Sequence, residues 1–399
     1  MYNINNHYTN IFNLITSYVH DPTIFYLHPF GTTEIKNIER MAKVSDHIQR
    51  EDLVFTDKKS RQGDGCPDLL ILCYDQEPLL YNYNKELFSH IKRITPKYWQ
   101  TNPSLILLNT EKDSDDLDKL TAEFNYVSCY YFFHIFAAQD WFREYYYNKM
   151  ITKPSTRKLS KKFITMNRLT SDARVYRTLL VNELIRHDTV FQGHISYSRD
   201  CPIGGDYQTQ LMQNAERFKI PEYLVNETIQ NISNTSHKFR IDYEDEIYIP
   251  NRSFSIDFPN KFTESFVHIV TETNYWGRRK HLTEKIFKPI VLKQPFILVG
   301  CAHNLEYLRS YGFKTFSPWW SEDYDTIEND IDRMHRIGEI ISNICKRSLN
   351  ELQDLLCEME EVLEYNYNLF YSREFVNFAW KELGDNLSEA VINVRDMYY

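Results

Sequence analysis

Short apolar runs alternate with longer mixed stretches along the first 150 residues. "TIFYLHPFG", "DLLILCYD", "SLILLNT" and "NYVSCYYFFHIF" read as buried strands, each closed by a turn or a polar residue. Between them, "EIKNIERMAKVSDHIQR" and "LLYNYNKELFSHIKRI" carry the spacing of helices. Strands separated by helices predict a parallel sheet covered on both faces. The pattern breaks at "NKMITKPSTRKLSKK", residues 148–162, which is rich in Lys, Arg and turn formers and reads as a linker. A second alternation follows: strand "FITMN", helix "DARVYRTLLVNELIRH", strand "TVFQGHISYS", then "SFVHIVTET", the segment "HLTEKIFKPIVLK", "PFILVG" and "GFKTF". Residues 205–255 are polar and Asn-rich and receive no assignment. From about residue 323 onward the pattern is helical.

This organisation predicts an α/β chain of two Rossmann-like domains facing a cleft, with a helical C-terminal tail. The boundary is placed at 1–155 and 156–399, and the last helix is expected to pack back on the first domain. A length of 399 residues fits two cores better than one. Ligands in such sheets bind at the carboxyl ends of strands, so the interdomain cleft is the expected site.

Composition narrows the classes. A net charge of −9 argues against a nucleic-acid coat or a basic membrane-surface protein. Seven cysteines have no CxxC or metal-like spacing, which predicts buried free thiols in a reducing compartment. The start lacks a basic n-region with a continuous apolar core, and no apolar stretch reaches the length of a membrane span. A cytoplasmic protein is the expectation, with oligomeric state open. P-loop, GxGxxG and GxSxG patterns are absent, so P-loop phosphoryl transfer, standard dinucleotide binding and the nucleophile elbow lose support.

Three constellations carry chemistry. In "TETNYWGRRKHLTEKIF", Thr283 suits an N-cap, Glu284 and the free N–H groups of the following turn suit an anion or ribose site, and Lys285 adds positive charge. Arg278, Arg279 and Lys280 enrich the same loop in cations. The plain alternative is a surface pair between Glu284 and Lys288, and Pro289 is expected to kink the helix. In "FITMNRLTSDARVYR", Asn167 ends a strand, Asp172 is expected to cap the next helix, and Arg174 falls in its first turn, where a cation opposes the helix dipole and suggests an anionic partner. A solvated arginine, like its neighbours Arg168, Arg177 and Arg186, is the alternative. In "LLILCYDQEPLL", a strand delivers Asp75 and Glu77 at its carboxyl end, where a general base belongs, although strands end in acids without chemistry about as often. His28 in "FYLHPFGTTE" either lines the cleft or caps its strand. "DSDDLD" at 113–118 reads as a solvated helix start before a metal cluster. Trp319 and Trp320 read as packing before a stacking platform.

Taken in chain order, these segments resemble the α-1,3-fucosyltransferase family. Its donor region has a strand ending in Glu-Asn-Ser, then Val-Thr-Glu-Lys-Leu, then a Pro-initiated strand ending in Gly. The counterparts are Glu272, Leu282–Ile286 and Pro295–Gly300. Asn167, Ala173 and Arg174 are similar to that family's Asn…Ala-Arg pattern, Gln76-Glu77-Pro78 to its Glu-Ser-Pro, and Pro29-Phe30-Gly31 to its Pro-Phe-Gly. The resemblance covers four islands and departs from the pattern at Glu-Thr-Asn, at Gln76 and at Pro289. It implies a GT-B-like fold and an inverting, metal-independent transfer from a nucleotide-sugar donor, GDP-sugar favoured, to a carbohydrate acceptor, with no cofactor. With the Asn, Tyr and Lys bias it also suggests a distant relative from a phage or virus. In that scheme Glu77 is the base, and Asn167, Arg174, Glu272, Thr283, Glu284 and Lys285 bind the donor. His28, Asp75 and Arg278 line the acceptor side, and a hinge lies near residues 150–162. A hydroxymethylated DNA base as acceptor, and a non-catalytic sugar- or nucleotide-binding scaffold, are the competing readings.

Overall fold

The computed structural model describes residues 7–18, 23–26, 70–75, 77–94, 105–147, 153–201, 204–239, 256 and 259–396. The chain divides into two compact units. One comprises residues 1–140 with 373–399, the other residues 141–372.

The first unit is built on a four-stranded parallel sheet. Its strands β1 (Thr23–Tyr26), β2 (Leu70–Tyr74), β3 (Leu105–Asn109) and β4 (Val127–Tyr130) lie in the order of the chain. Leu72, Leu107 and Tyr74 from the sheet pack with Phe88, Leu117, Leu120 and Phe124 from the helices α1 (Tyr81–Ile94) and α2 (Asp115–Phe124). Ser114 caps α2 by accepting from Leu117 N, with Asp115, Asp116 and Asp118 in the first turn. The "DSDDLD" run is thus a helix start, and no acidic or Cys/His group among the described residues is arranged to hold a metal. The apolar run 125–136 does not stay extended. β4 ends at Tyr130 and a helix begins at Phe133, with residues 133–139 all buried. A helix buried on every side has no polar face to reveal its period, so the sequence cannot separate it from a strand. The long final helix, α3 (Arg373–Asp396), packs against β3 and β4. The predicted helix at 34–50 lies outside the described residues.

The second unit holds another four-stranded parallel sheet, formed by β5 (Lys161–Asn167), β6 (Gly193–Tyr197), β7 (Ser265–Thr271) and β8 (Phe296–Val299). Their order across the sheet is β8-β7-β5-β6. Every residue of β7 and β8 is buried, the pattern of strands covered on both faces. The longer helices of the unit are α4 (Tyr176–Arg186), α5 (Tyr207–Ala215), α6 (Glu222–Asn234), α7 (Asp330–Cys345), α8 (Leu349–Glu358) and α9 (Glu360–Tyr371). α5 and α6 fill part of the stretch that received no assignment from sequence. "GFKTF" is not a strand. The backbone N–H and carbonyl of Lys314 pair with the Asn366 side chain at 2.9 and 2.8 Å, which replaces a ladder partner.

The described part of the predicted linker, residues 153–162, is held within the second unit. Pro154 and Arg157 are buried, and Arg157 donates to the carbonyls of Lys293 and Leu292 at 2.9 and 2.5 Å. Burial lowers its pKa to about 10. Basic composition signalled a linker, but a guanidinium satisfied by two carbonyls can be buried as packing.

Candidate functional site at the carboxyl ends of β5 and β7

From β5 the chain steps to β6 on one side, then returns to lay β7 on the other side and β8 beyond it. The winding therefore reverses between β5 and β7. In open parallel sheets, ligands bind outside the carboxyl ends of the strands at such a switch point. The sheet of the first unit, in simple chain order, has none among its described strands.

Asn167 closes β5 and Thr271 closes β7, and the Thr271 hydroxyl donates to Asn167 Oδ1 at 2.9 Å. The next residue, Glu272, has no exposed surface. Its carboxylate accepts from Thr283 Oγ1 at 2.6 Å, Thr283 N at 3.2 Å and Thr273 N at 3.3 Å. Lys285 Nζ donates to Thr273 Oγ1 and Thr283 Oγ1, both at 3.0 Å, and lies 3.6 Å from Glu284 Oε1. Glu272, Thr283, Glu284 and Lys285 thus share one polar network at the switch point, and the separate Asn167–Thr271 pair closes the two strands just before it.

Two helices grip the backbone of this loop. From α4, the Tyr176 hydroxyl donates to the Glu272 carbonyl, and Arg177 Nη2 donates to the same carbonyl at 2.9 Å. From α7, Arg333, only 1% exposed, donates to Tyr275 O at 2.7 Å, Gly300 O at 3.2 Å and Ile327 O at 2.8 Å, and to Asp330 Oδ1 at 2.5 Å. Its guanidinium lies 4.5 Å from the centroid of the Tyr275 ring, which stacks on Tyr176 at 4.7 Å. Burial pushes the pKa of both tyrosines up, so their hydroxyls remain donors. Trp276 donates to Ala173 O at 2.8 Å and stacks on Phe218 at 4.5 Å. The helices are keyed together by Glu183 of α4, which is buried and accepts from Arg186 Nη1 at 2.8 Å, with His335 Nδ1 of α7 at 2.9 Å.

The helix expected from Thr283 is a three-residue 3-10 turn, Glu284–Ile286, followed by a five-residue helix, Phe287–Val291. Thr283 does cap it, accepting from Lys285 N at 3.4 Å. However, that cap already uses the Lys285 amide, and five helical residues make only a short dipole. The full charge of Lys285 is the cation that the turn contributes. Pro289 falls in the first turn of the short helix, where its missing N–H has no intrahelical acceptor to lose. Glu284 is buried, unlike the exposed partner that a surface pair with Lys288 needs.

Asp172 does not cap α4. It has φ +54° inside a 3-10 turn, Asp172–Val175, and pairs with Arg217 at 2.6 Å; α4 starts at Tyr176. Arg174 ends this turn and is half-buried. Arg177, grouped by sequence with the solvated arginines, is buried against the strand ends. Arg333 was missed too. An arginine on an amphipathic helix carries no sign of which carbonyls it will reach. Arg278 is exposed, whereas Arg279 is buried. Trp320 packs on Phe316 at 5.2 Å, and Trp319 donates to Glu358 at 3.2 Å. In the first unit, Asp75 is buried and accepts from the Tyr131 hydroxyl, while Glu77 is half-buried in the bend beyond β2. His28 and the Pro29–Gly31 turn lie outside the described residues.

No protein-family model, curated protein or solved structure matches the chain. No helix among the described residues is long and apolar enough to cross a membrane. Of the described cysteines, 73, 129, 201, 301 and 345 are buried and Cys357 is exposed.

Proposed function

We propose that the second unit binds a nucleotide-diphosphate sugar at the β5–β7 switch point and that the protein is an inverting glycosyltransferase of GT-B-like organisation acting on a carbohydrate acceptor. The observation that carries this reading is the network linking Glu272, Thr283 and Lys285, next to the Asn167–Thr271 pair, at the strand ends where the winding reverses. These are the same residues that resemble the fucosyltransferase donor region. In the proposal, Lys285 and Arg174 offset charge growing on the leaving diphosphate, and Glu284 receives ribose hydroxyls. Glu272 orients Thr283, and through it Lys285. Glu77, on the first unit, keeps the role of proton acceptor from the acceptor hydroxyl.

The test is donor hydrolysis and transfer with a panel of GDP- and UDP-sugars. Lys285→Ala is expected to lower the rate about 10²–10³-fold, as loss of one charge-stabilising group does. Glu77→Gln is expected to abolish transfer while leaving donor binding unchanged. Absence of both activity and nucleotide binding in the wild type would refute the proposal.

A further inference from the structure

The 3-10 turn Asp172–Val175, which carries Arg174, is clasped by residues far from it in sequence. Its first residue, Asp172, sits at φ +54°, a left-handed conformation that Asp accepts but does not favour. Asp172 N donates to Gln210 Oε1 of α5 at 3.1 Å, and Arg217 Nη1 donates to Asp172 Oδ1 at 2.6 Å. One residue on, the Ala173 carbonyl accepts from Trp276 Nε1 at 2.8 Å. Phe218 joins the last two contacts. The Arg217 guanidinium lies 4.7 Å from its ring centroid, and the ring stacks on Trp276 at 4.5 Å. Phe218 N donates to Asn214 O at 3.1 Å, which anchors this corner on α5. Arg217, Phe218 and Trp276 therefore brace the two residues that precede Arg174.

The turn runs directly into Tyr176, whose hydroxyl donates to the Glu272 carbonyl. Burial raises the pKa of that hydroxyl, while the charges of Arg177 and Arg174 act against the rise, so Arg174 lies within electrostatic reach of the loop after β7. A change of backbone state at Asp172 would displace Arg174, two residues on. The Arg217 and Asp172 side chains stay 28% and 32% exposed, and an ion pair that open adds little to folding. A several-fold bias between two states of one turn is within its reach. A cation that meets a ligand benefits from such a bias, because its ordering is complete before binding.

We infer that Arg217 is a positioning residue of the donor site: through its ion pair with Asp172 it holds the turn in the state that presents Arg174 to the diphosphate of the ligand. This rests on the proposed function and adds to it a residue, outside the resemblance, that acts through Arg174. The rival role for Arg217 is attraction of the anion by its own charge. Asp172→Asn separates the two, because they predict opposite signs. Asn keeps the shape, tolerates the left-handed φ and removes one negative charge. If charge alone matters, anion binding tightens; if the ion pair sets the turn, it weakens.

The experiment is titration calorimetry of the whole protein against GDP, UDP and inorganic pyrophosphate, with thermal melts of the free proteins alongside. It compares wild type with Asp172→Asn, Arg217→Met, Arg217→Lys, Arg174→Ala and Arg174→Ala combined with Arg217→Met. Asp172→Asn and Arg217→Met are each expected to weaken the probes that wild type binds by about 3–10-fold, and Arg217→Lys, which keeps the ion pair, to stay within about twofold. In the Arg174→Ala background Arg217→Met should cost less than about twofold more, because the two residues act as one unit. Melting temperatures should stay within about 2 °C of wild type, as for other exposed pairs. Equal or tighter binding by Asp172→Asn overturns this inference and leaves the proposed function standing. So does a loss from Arg217→Met that persists in full without Arg174, which assigns Arg217 a direct effect on the ligand. Weaker binding with a melting temperature lowered by more than about 5 °C assigns the pair to folding and overturns it as well. A wild type that binds none of the three probes removes both readings.

Discussion

Thr283→Val isolates the contact on which the strand-end network turns. The substitution keeps the branched shape and removes only the hydroxyl. That hydroxyl donates to Glu272 Oε2 at 2.6 Å and accepts from Lys285 Nζ at 3.0 Å and Lys285 N at 3.4 Å. Glu272 has no exposed surface, so water cannot replace the donor. A hydrogen bond to a charged group is worth about 1.5–3 kcal/mol, and a lost cap about 1 kcal/mol. The two share one oxygen and do not add, so about 2–3 kcal/mol is expected in total. For a unit of this size that lowers the melting temperature by about 5–10 °C. Chemical denaturation of wild type, Thr283→Val, Glu272→Gln and the double variant gives the coupling directly. The reasoning predicts that the two changes couple by at least about 1 kcal/mol, as groups in one network do. Additive effects, or a loss under about 0.5 kcal/mol for Thr283→Val alone, would show that the Glu272–Thr283 contact does not organise the loop.

Three further outcomes follow from the same geometry. Gly338→Ala places a methyl 2.7 Å from Glu183 Oε2 and 3.0 Å from its Cβ, so despite gaining about 1 kcal/mol of helix propensity it should destabilise by about 1–2 kcal/mol net in denaturant titration; a stabilised variant would contradict the close fit of α4 and α7. Arg333→Lys retains charge but cannot reach three carbonyls in one plane, so a loss of about 2–3 kcal/mol and faster amide exchange across residues 272–283 are expected; exchange unchanged there would refute the grip. The pH dependence has two opposed arms. His335 is raised above 6.5 by its hydrogen bond to Glu183, so its stabilisation is complete below pH 6.5 and fades as pH climbs through the folded pKa. His268 is lowered to about 3 by burial, then by Lys288, so between pH 6.5 and 3 the unfolded chain takes a proton that the folded chain refuses, and stability falls with pH. His335→Gln should flatten the alkaline arm of a melting-temperature profile and leave the acid arm intact, and an unchanged alkaline arm would remove the Glu183 key as its cause.

What could be read from sequence was what periodicity and chain order carry. The runs 70–74, 105–109, 161–167, 265–271 and 296–299 are strands because they are apolar, short and bounded by turns. Asn167 and Thr283 were found because they fall at a strand end and a helix start, Lys285 for its charge in that turn, and Glu272 only through the resemblance to the fucosyltransferase donor region. The grip on the loop was not legible. Arg177 and Arg333 look like surface arginines, and only the packing of α4 and α7 brings their guanidinium groups to carbonyls.

The central claim is that the β5–β7 switch point receives a nucleotide. Amide hydrogen exchange of the whole protein with and without saturating GDP or UDP tests it most directly. The account predicts slowed exchange at residues 165–176 and 271–286, together and with one nucleotide favoured. Protection absent from both segments, or confined to other parts of the chain, would contradict it.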